Sequence, residues 1–219
     1  MEAREVKDRL YEAFAQTAKA VANPHRIEIL ELIAQGERSV DAIARAAGLS
    51  LTNTSAHLQV LHRSRLVETK RVGTTVYYRL ADDEVVRFVN HLRDLTRARV
   101  GEVDRVIKDY FVARDTFEPI TREDLLERAS SGDVVILDVR PEEEYVQGHI
   151  PNAKSIPLAS LNDRLKELSK QSLVVAYCRG PYCVLAVQAV EKLSAEGYSA
   201  IRLEDGMPEW RLAGLPVER

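Results

Sequence analysis

Cys178 and Cys183 are the only two cysteines among the 219 residues, and they stand five positions apart. Cys178 closes the apolar run LVVAY, a strand pattern, and the segment RGPYC leads into a helix that begins near Cys183. At such a strand-to-helix junction, loop N–H groups and the helix dipole converge on one point. A thiolate held there is stabilised and its pKa lowered, and the same donors suit a persulfide, Cys–S–S⁻. Arg179 adds positive charge for an anionic donor such as thiosulfate, and Gly180 and Pro181 give tight curvature before Tyr182, Cys183 and Val184.

Cys183 admits three readings. It fills its slot as a small polarizable residue. It acts as a resolving thiol that attacks a persulfide on Cys178. Or the two thiols bind trivalent arsenic, for which two ligands alone make a poor site. A structural disulfide across so short a loop would stabilise little, and one close pair in a cytosolic chain reads as reactive or metal-binding before it reads as scaffold.

The elements that must position this loop are legible in the second half. Helical and strand patterns alternate there: TREDLLERASS, VVILDV, EEEYVQG, SIPL, ASLNDRLKEL, LVVAYC, VLAVQAVEKLSAEG, AIRLE and DGMPEWRLAG. Continuous apolar strands between amphipathic helices predict a parallel sheet covered on both faces. The first half is helical in period, with Leu10, Phe14 and Ala18 on one stripe and Ile27, Leu30 and Ile33 on another. Asn23-Pro24 starts the second helix, Ser39 and Gly48 bound a short third, and Ser50 or Thr52 caps a fourth through about Arg63. LVETKRVGTTVYYRL alternates on both sides of Gly73 and predicts a hairpin. A long helix from Asp83 to Phe111 follows, whose apolar surplus exceeds what a small domain buries and predicts dimerisation.

Composition sets the frame. Apolar residues make up 45% and charged residues 30%, as in an ordinary soluble protein, and no apolar run approaches the roughly 18 residues of a membrane span. The charged start MEAREVKDRLYEAF has no apolar signal core, so a cytoplasmic location without membrane partners is expected. The net charge of −3 hides an asymmetry: residues 1–115 hold 19 Lys/Arg against 17 Asp/Glu, and residues 116–219 hold 12 against 17. Between 62 and 80, Arg63, Arg65, Lys70, Arg71 and Arg79 face only Glu68, a local basic strip suited to phosphates. Two domains are expected, 1–113 and 119–219, joined by a linker at 114–118.

Through ANPHRIEILELIAQGERSVDAIARAAGLSLTNTSAHLQVLHRSRLVETKRVGTTVYYRL (22–80), residues from about 15 to 110 resemble the ArsR family of winged-helix repressors. The resemblance implies a symmetric dimer on a palindromic double-stranded DNA operator, with two recognition helices in successive major grooves. It places Leu51, Thr52, Asn53, Ser55, Ala56 and Gln59 toward the groove. It makes His57, Arg63, Lys70 and Arg71 phosphate contacts and sets Gly73 at the wing tip. Many family members sense metal through a Cys pair before the turn. This chain has GERSVDAI there, and His91, Asp94, Glu102 and Asp104 lack a convincing ligand spacing, so no metal site and no cofactor are expected.

The second half resembles a single rhodanese domain, through LDVRPEEEYVQGHIPNAKSIPL (137–158), YCRGPYCVLA (177–186) and DGMPEWRLAGLPVE (205–218). The resemblance implies a buried pair of Asp138 and Arg140, a turn at Gly148–Pro151, and structural roles for Trp210, Gly214 and Pro216. It also decides between two chemistries of this fold. A phosphatase cradle reads Cys-x5-Arg, but Val184 stands sixth after Cys178, and the six-residue loop is the length the family uses for sulfur transfer. The function expected is a homodimeric repressor whose rhodanese-like domain senses or processes reactive sulfur at Cys178, with a small donor such as thiosulfate or polysulfide. A thiosulfate sulfurtransferase tethered to a DNA-binding domain is the alternative, followed by an arsenic or redox sensor.

Overall fold

The computed structural model describes residues 2–112, 114 and 118–219; of the linker expected at 114–118, residues 115–117 lie outside the described part. The chain divides into two compact units, Met1–His91 and Leu92–Arg219. The two-domain fold class read from the sequence holds: a helical unit with a β-hairpin wing, then an α/β unit with a parallel sheet.

The first unit opens with α1 (Ala3–Val21) and α2 (Pro24–Ala34). The Asn23 side chain accepts from the Arg26 N–H at 3.3 Å, and Pro24 starts α2 where its missing N–H costs nothing. Ser39 caps α3 (Val40–Ala47), and Gly48 ends it at φ +64°, a left-handed cap that glycine adopts without a Cβ penalty. Ser50, not Thr52, caps α4 (Leu51–Arg63), accepting from the Asn53 N–H at 3.2 Å. Strands β2 (Val67–Val72) and β3 (Thr75–Leu80) pair antiparallel from Val67↔Leu80 to Val72↔Thr75. A two-residue strand not anticipated from the sequence, β1 (Arg38–Ser39), adds to the open edge of β3; it is too short for alternation to register. Ile29, Leu30, Ile43, Leu58, Leu61, Val67, Val85 and Val89 form the core, the last two from α5 (Asp83–Arg99).

The single helix expected from Asp83 to Phe111 is interrupted. Val100, at φ −111° and ψ 94°, leaves the helical region, and α6 (Gly101–Ile107) restarts the chain before a π-helical turn over Lys108–Val112. A β-branched residue followed by glycine is a weak point for helix propagation.

In the second unit α7 (Arg122–Ser131) leads into β4 (Val134–Asp138), the short α8 (Glu142–Tyr145) and β5 (Lys154–Ser155). Of the strand expected at SIPL only Ser155 lies in β5, although the Ile156 and Leu158 N–H groups still donate to the Asp138 and Val139 carbonyls at 3.0 and 3.1 Å. The helix expected over ASLNDRLKEL is three short pieces, a 3₁₀ turn, α9 (Leu161–Arg164) and another 3₁₀ turn. Then come β6 (Leu173–Tyr177), α10 (Val184–Ala195), β7 (Ala200–Arg202) and α11 (Met207–Leu212). The four strands are parallel in the order β5-β4-β6-β7.

Alternation along β6 sends Val174, Ala176 and Cys178 to one face with Ala186, Ala189 and Val190 of α10. Val175 and Tyr177 go to the other face, with Ile136, Ile201 and Trp210. Trp210 is fully buried and donates its indole N–H to the Pro216 carbonyl at 2.8 Å, which ties the C-terminal motif to the sheet.

Candidate functional site

Cys178 follows the last residue of β6, a central strand, so it stands at the carboxyl end of a parallel sheet, where α/β folds place their chemistry. Its carbonyl accepts from the Met207 N–H at 3.2 Å, which ties the loop to the start of α11. Gly206 is pressed so close that a Cβ there would overlap the backbone of Arg179 and Gly180. Cys183 is the N-cap of α10.

Cys178 and Cys183 are joined as a disulfide, their Cα atoms 6.4 Å apart, and both are buried. The Cys183 N–H donates to the Gly180 carbonyl at 3.1 Å, so in this state it turns into the loop.

Arg179 carries a pairing that the sequence reading did not include. Its guanidinium donates to the Glu144 carboxylate through Nε (3.0 and 3.1 Å) and Nη2 (2.7 Å). Glu144 is fully buried on α8, and the Arg179 side chain is only 17% exposed. The cation expected to meet an incoming anion is held by this carboxylate, in the bidentate geometry that fixes a guanidinium most firmly. Tyr182 is half-buried, and its ring meets that of Phe111 edge-on at 6.1 Å.

Behind the loop, Asp138 and Arg140 form a network with no exposure. Arg140 donates Nε and Nη2 to Asp138 (3.0 and 2.6 Å) and Nη2 also to the Gly148 carbonyl (2.9 Å). The Tyr177 hydroxyl donates to Asp138 Oδ2 at 2.6 Å and accepts from the Ile150 N–H at 3.1 Å. Burial, and then the negative charge of Asp138, push the Tyr177 phenol well above its ordinary value, so it remains a donor. Burial works against the charge of Arg140, but the hydrogen bond and charge of Asp138 outweigh it and raise its pKa. These residues bind the ends of β4 and β6 together, next to Cys178.

In the first unit, Thr54, Leu58 and Leu61 bury one face of α4. The 3.6-residue period then presents Leu51, Thr52, Asn53, Ala56 and Gln59 outward, with Ser55 and His57 half-buried at the margin. Arg63, Lys70, Arg71 and Gly73 are exposed. Gly73 turns the wing at φ +61°, and its carbonyl accepts from Arg71 Nε at 3.2 Å. Arg79, part of the basic strip, is ion-paired with Glu68 directly across the hairpin. The His57 ring lies 5.7 Å from that of His25, and burial, with the charges of Arg26 and His25, lowers its pKa.

Two family models match the two units: the bacterial regulatory protein, arsR family, over residues 23–69, and the rhodanese-like domain over residues 121–213. The HTH-type transcriptional regulator Rv0324 of Mycobacterium tuberculosis is 47% identical over 212 residues, 97% of this chain and 93% of that protein. The chain belongs to this family of ArsR-type regulators with a rhodanese-like domain. Parts of the regulator match separately. A protein named sulfurtransferase from Allochromatium vinosum is 35% identical over 100 residues, 45% of this chain and 92% of that protein. The homodimeric winged helix-turn-helix domain of Mb0332 from Mycobacterium bovis is 42% identical, covering 46% of this chain and 91% of that one, at a TM-score of 0.42. No helix among the described residues of this regulator is long and apolar enough to cross a membrane.

Two contributors to the site were missed in the sequence. Glu144 sits in the run EEE, which reads as a solvated helix face, and it reaches Arg179 from 35 positions away. Phe111 reads as part of a dimerisation stripe, yet it is buried against Tyr182 and the Arg202 guanidinium.

Proposed function

We propose that this regulator is a homodimeric DNA-binding repressor whose Cys178–Cys183 loop senses reactive sulfur. The observation that carries the reading is that the only two thiols of the chain lie in one loop at the end of β6, close enough to be joined. In the reduced protein the Cys178 thiolate attacks the outer sulfur of a persulfide R–S–SH. A bond forms between Cys178 Sγ and that outer sulfur, the S–S bond of the donor breaks and RS⁻ leaves, giving Cys178–S–SH. The Cys183 thiolate then attacks Sγ of Cys178, forming the disulfide and expelling HS⁻. In sum two thiols are oxidised by two electrons and one sulfane sulfur is reduced to sulfide; a cellular thiol reductant resets the loop.

On the DNA side, Thr52, Asn53, Ala56 and Gln59 of α4 read base edges in the major groove, with Leu51 and Ser55 beside them. Arg63, Lys70 and Arg71 neutralise phosphates, and Gly73 lets the wing approach the backbone. Dimer formation is supported by apolar side chains left exposed on α1 (Leu10, Tyr11, Phe14) and α5 (Phe88, Leu95). The path from loop to DNA is supported by Tyr182, which stands between the cysteines and packs on Phe111 in the turn after α6. The partners are therefore a palindromic duplex, a second copy and a small sulfur donor.

The deciding experiment is an anisotropy titration, at fixed salt, of reduced, persulfidated and disulfide protein against a duplex selected from a random library by the reduced form. A change in affinity between states is expected. Equal affinity in all three states refutes the sensor. The similarity to the A. vinosum protein favours a second reading, a sulfurtransferase tethered to DNA. Sustained thiocyanate production from thiosulfate and cyanide would select it over a single sulfur loading per chain.

A further inference from the structure

The donor that loads Cys178 is set by the charges around the loop, and these do not suit a dianion. Thiosulfate carries two negative charges, and bringing them to a cysteine that is 2% exposed requires fixed positive charge to replace lost hydration. Arg179 is the only cationic side chain between Cys178 and Cys183, and the fully buried Glu144 holds it through three short contacts. The pair contributes no net charge, and the guanidinium cannot turn to a ligand without leaving a buried carboxylate behind.

The far side of the loop is acidic as well. Glu209 Oε2 accepts from the Gly206 N–H at 3.1 Å and lies 3.8 Å from the position a Cβ on Gly180 would occupy. Asp205, next to Gly206, holds Arg122 at 3.1 Å, so that guanidinium too faces a carboxylate. Asp205, which pairs with Arg122, and Glu209 thus add carboxylates where Gly206 seats against Arg179 and Gly180.

We infer that Glu144 is a specificity-determining residue, which neutralises Arg179 so that Cys178 takes sulfur from thiol-borne persulfides in preference to thiosulfate. Glu144 acts through Arg179 and is a positioning residue. The inference rests on the sulfur chemistry proposed above. With a persulfide, RS⁻ leaves as Cys178–S–SH forms. With thiosulfate, sulfite leaves as Cys178–S–S⁻ forms, and the entering dianion meets an Arg179 already neutralised by Glu144.

The test exposes the reduced, full-length protein to glutathione persulfide and thiosulfate at equal concentration, with rates read by intact-mass spectrometry as loss of the dithiol, whether to persulfide or on to the disulfide. The parent is expected to load from the persulfide about tenfold faster or more. Glu144→Gln removes the carboxylate charge that neutralises Arg179 and is expected to raise the thiosulfate-to-persulfide rate ratio about tenfold, and the gain to fall with added salt. The double variant Glu144→Gln/Arg179→Met is expected to return the ratio to that of the parent, an outcome that general loosening of the loop would not produce. Glu209→Gln, at a partly exposed position, is expected to shift the ratio the same way by a smaller factor, and gives a readout should the buried substitution unfold the domain. Equal or faster loading of the parent by thiosulfate overturns the donor assignment, as does an unchanged ratio in both Glu144→Gln and Glu209→Gln. Failure of both donors to load the parent instead overturns the sulfur chemistry itself.

Discussion

Phe111 meets the ring of Tyr182 edge-on, with centroids 6.1 Å apart and ring planes at 74°. Tyr182 is the residue before Cys183, so its backbone is covalently next to the cysteine that is joined to Cys178. Phe111 is 7% exposed, also faces the Arg202 guanidinium, and belongs to the turn that continues α6. Beside it, Arg114 lies over the Tyr110 ring and pairs with Glu191 of α10. A change in the loop therefore has a packed route into the segment that follows α5.

This contact yields the first prediction. Phe111→Ala is expected to leave the Cys178–Cys183 disulfide able to form while collapsing the difference in DNA affinity between reduced and disulfide protein. Allosteric couplings of this kind amount to about 5–150-fold in affinity, so the loss is measurable by anisotropy. An undiminished difference in the variant would remove this contact from the route.

The second prediction concerns Cys183. After treatment with polysulfide, the parent is expected to end as the disulfide, two hydrogens lighter than the dithiol. Cys183→Ser is expected to stop at the persulfide of Cys178, one sulfur heavier, and Cys178→Ser to gain nothing at the loop. Identical products from the parent and Cys183→Ser would show that Cys183 resolves nothing.

What was legible in the sequence was local. The cap residues Asn23, Ser39 and Ser50, the glycines at 48 and 73, and the spacing of Cys178 and Cys183 each act within a few positions, so pattern alone reveals them. Glu144 was illegible because a carboxylate in a run of three reads as solvated, and only the packing of α8 buries it beside Arg179. The helix after the wing is shorter than its pattern suggests, since the apolar stripe continues across Val100–Gly101 even though the helical backbone does not. The same stripe concealed that Phe111 is buried within the second unit.

The third prediction follows from the buried network behind the loop. Tyr177→Phe removes one hydrogen bond to Asp138 and the acceptor of the Ile150 N–H, and is expected to cost about 1–3 kcal/mol. Arg140→Met leaves Asp138 as a buried charge without its partner, and is expected to cost about 3–5 kcal/mol. Trp210, the sole tryptophan, is buried in the same unit, so its fluorescence during urea unfolding reports on that unit. If Arg140→Met proved no more destabilising than Tyr177→Phe, the ion pair would not be the centre of the network.

The last prediction uses His57. Its pKa is lowered by burial and by the charges of Arg26 and His25, so at pH 7.5 it is neutral and adds nothing to phosphate binding. As pH falls below its ordinary 6.5 it gains a proton, so DNA affinity is expected to rise toward pH 5.5 and the salt dependence to steepen by up to about one counterion. Stability runs the other way: the unfolded chain holds this proton more readily than the folded one, so the His57 contribution falls as pH drops through the same window. His57→Gln is expected to flatten this part of the pH response at a given salt. Lys70→Ala, exposed on β2, is expected instead to lower the salt slope by about one at every pH, because its charge does not titrate in this range. A pH response in His57→Gln as large as that of the parent would remove His57 from the phosphate contacts and leave Arg63, Lys70 and Arg71 to carry them.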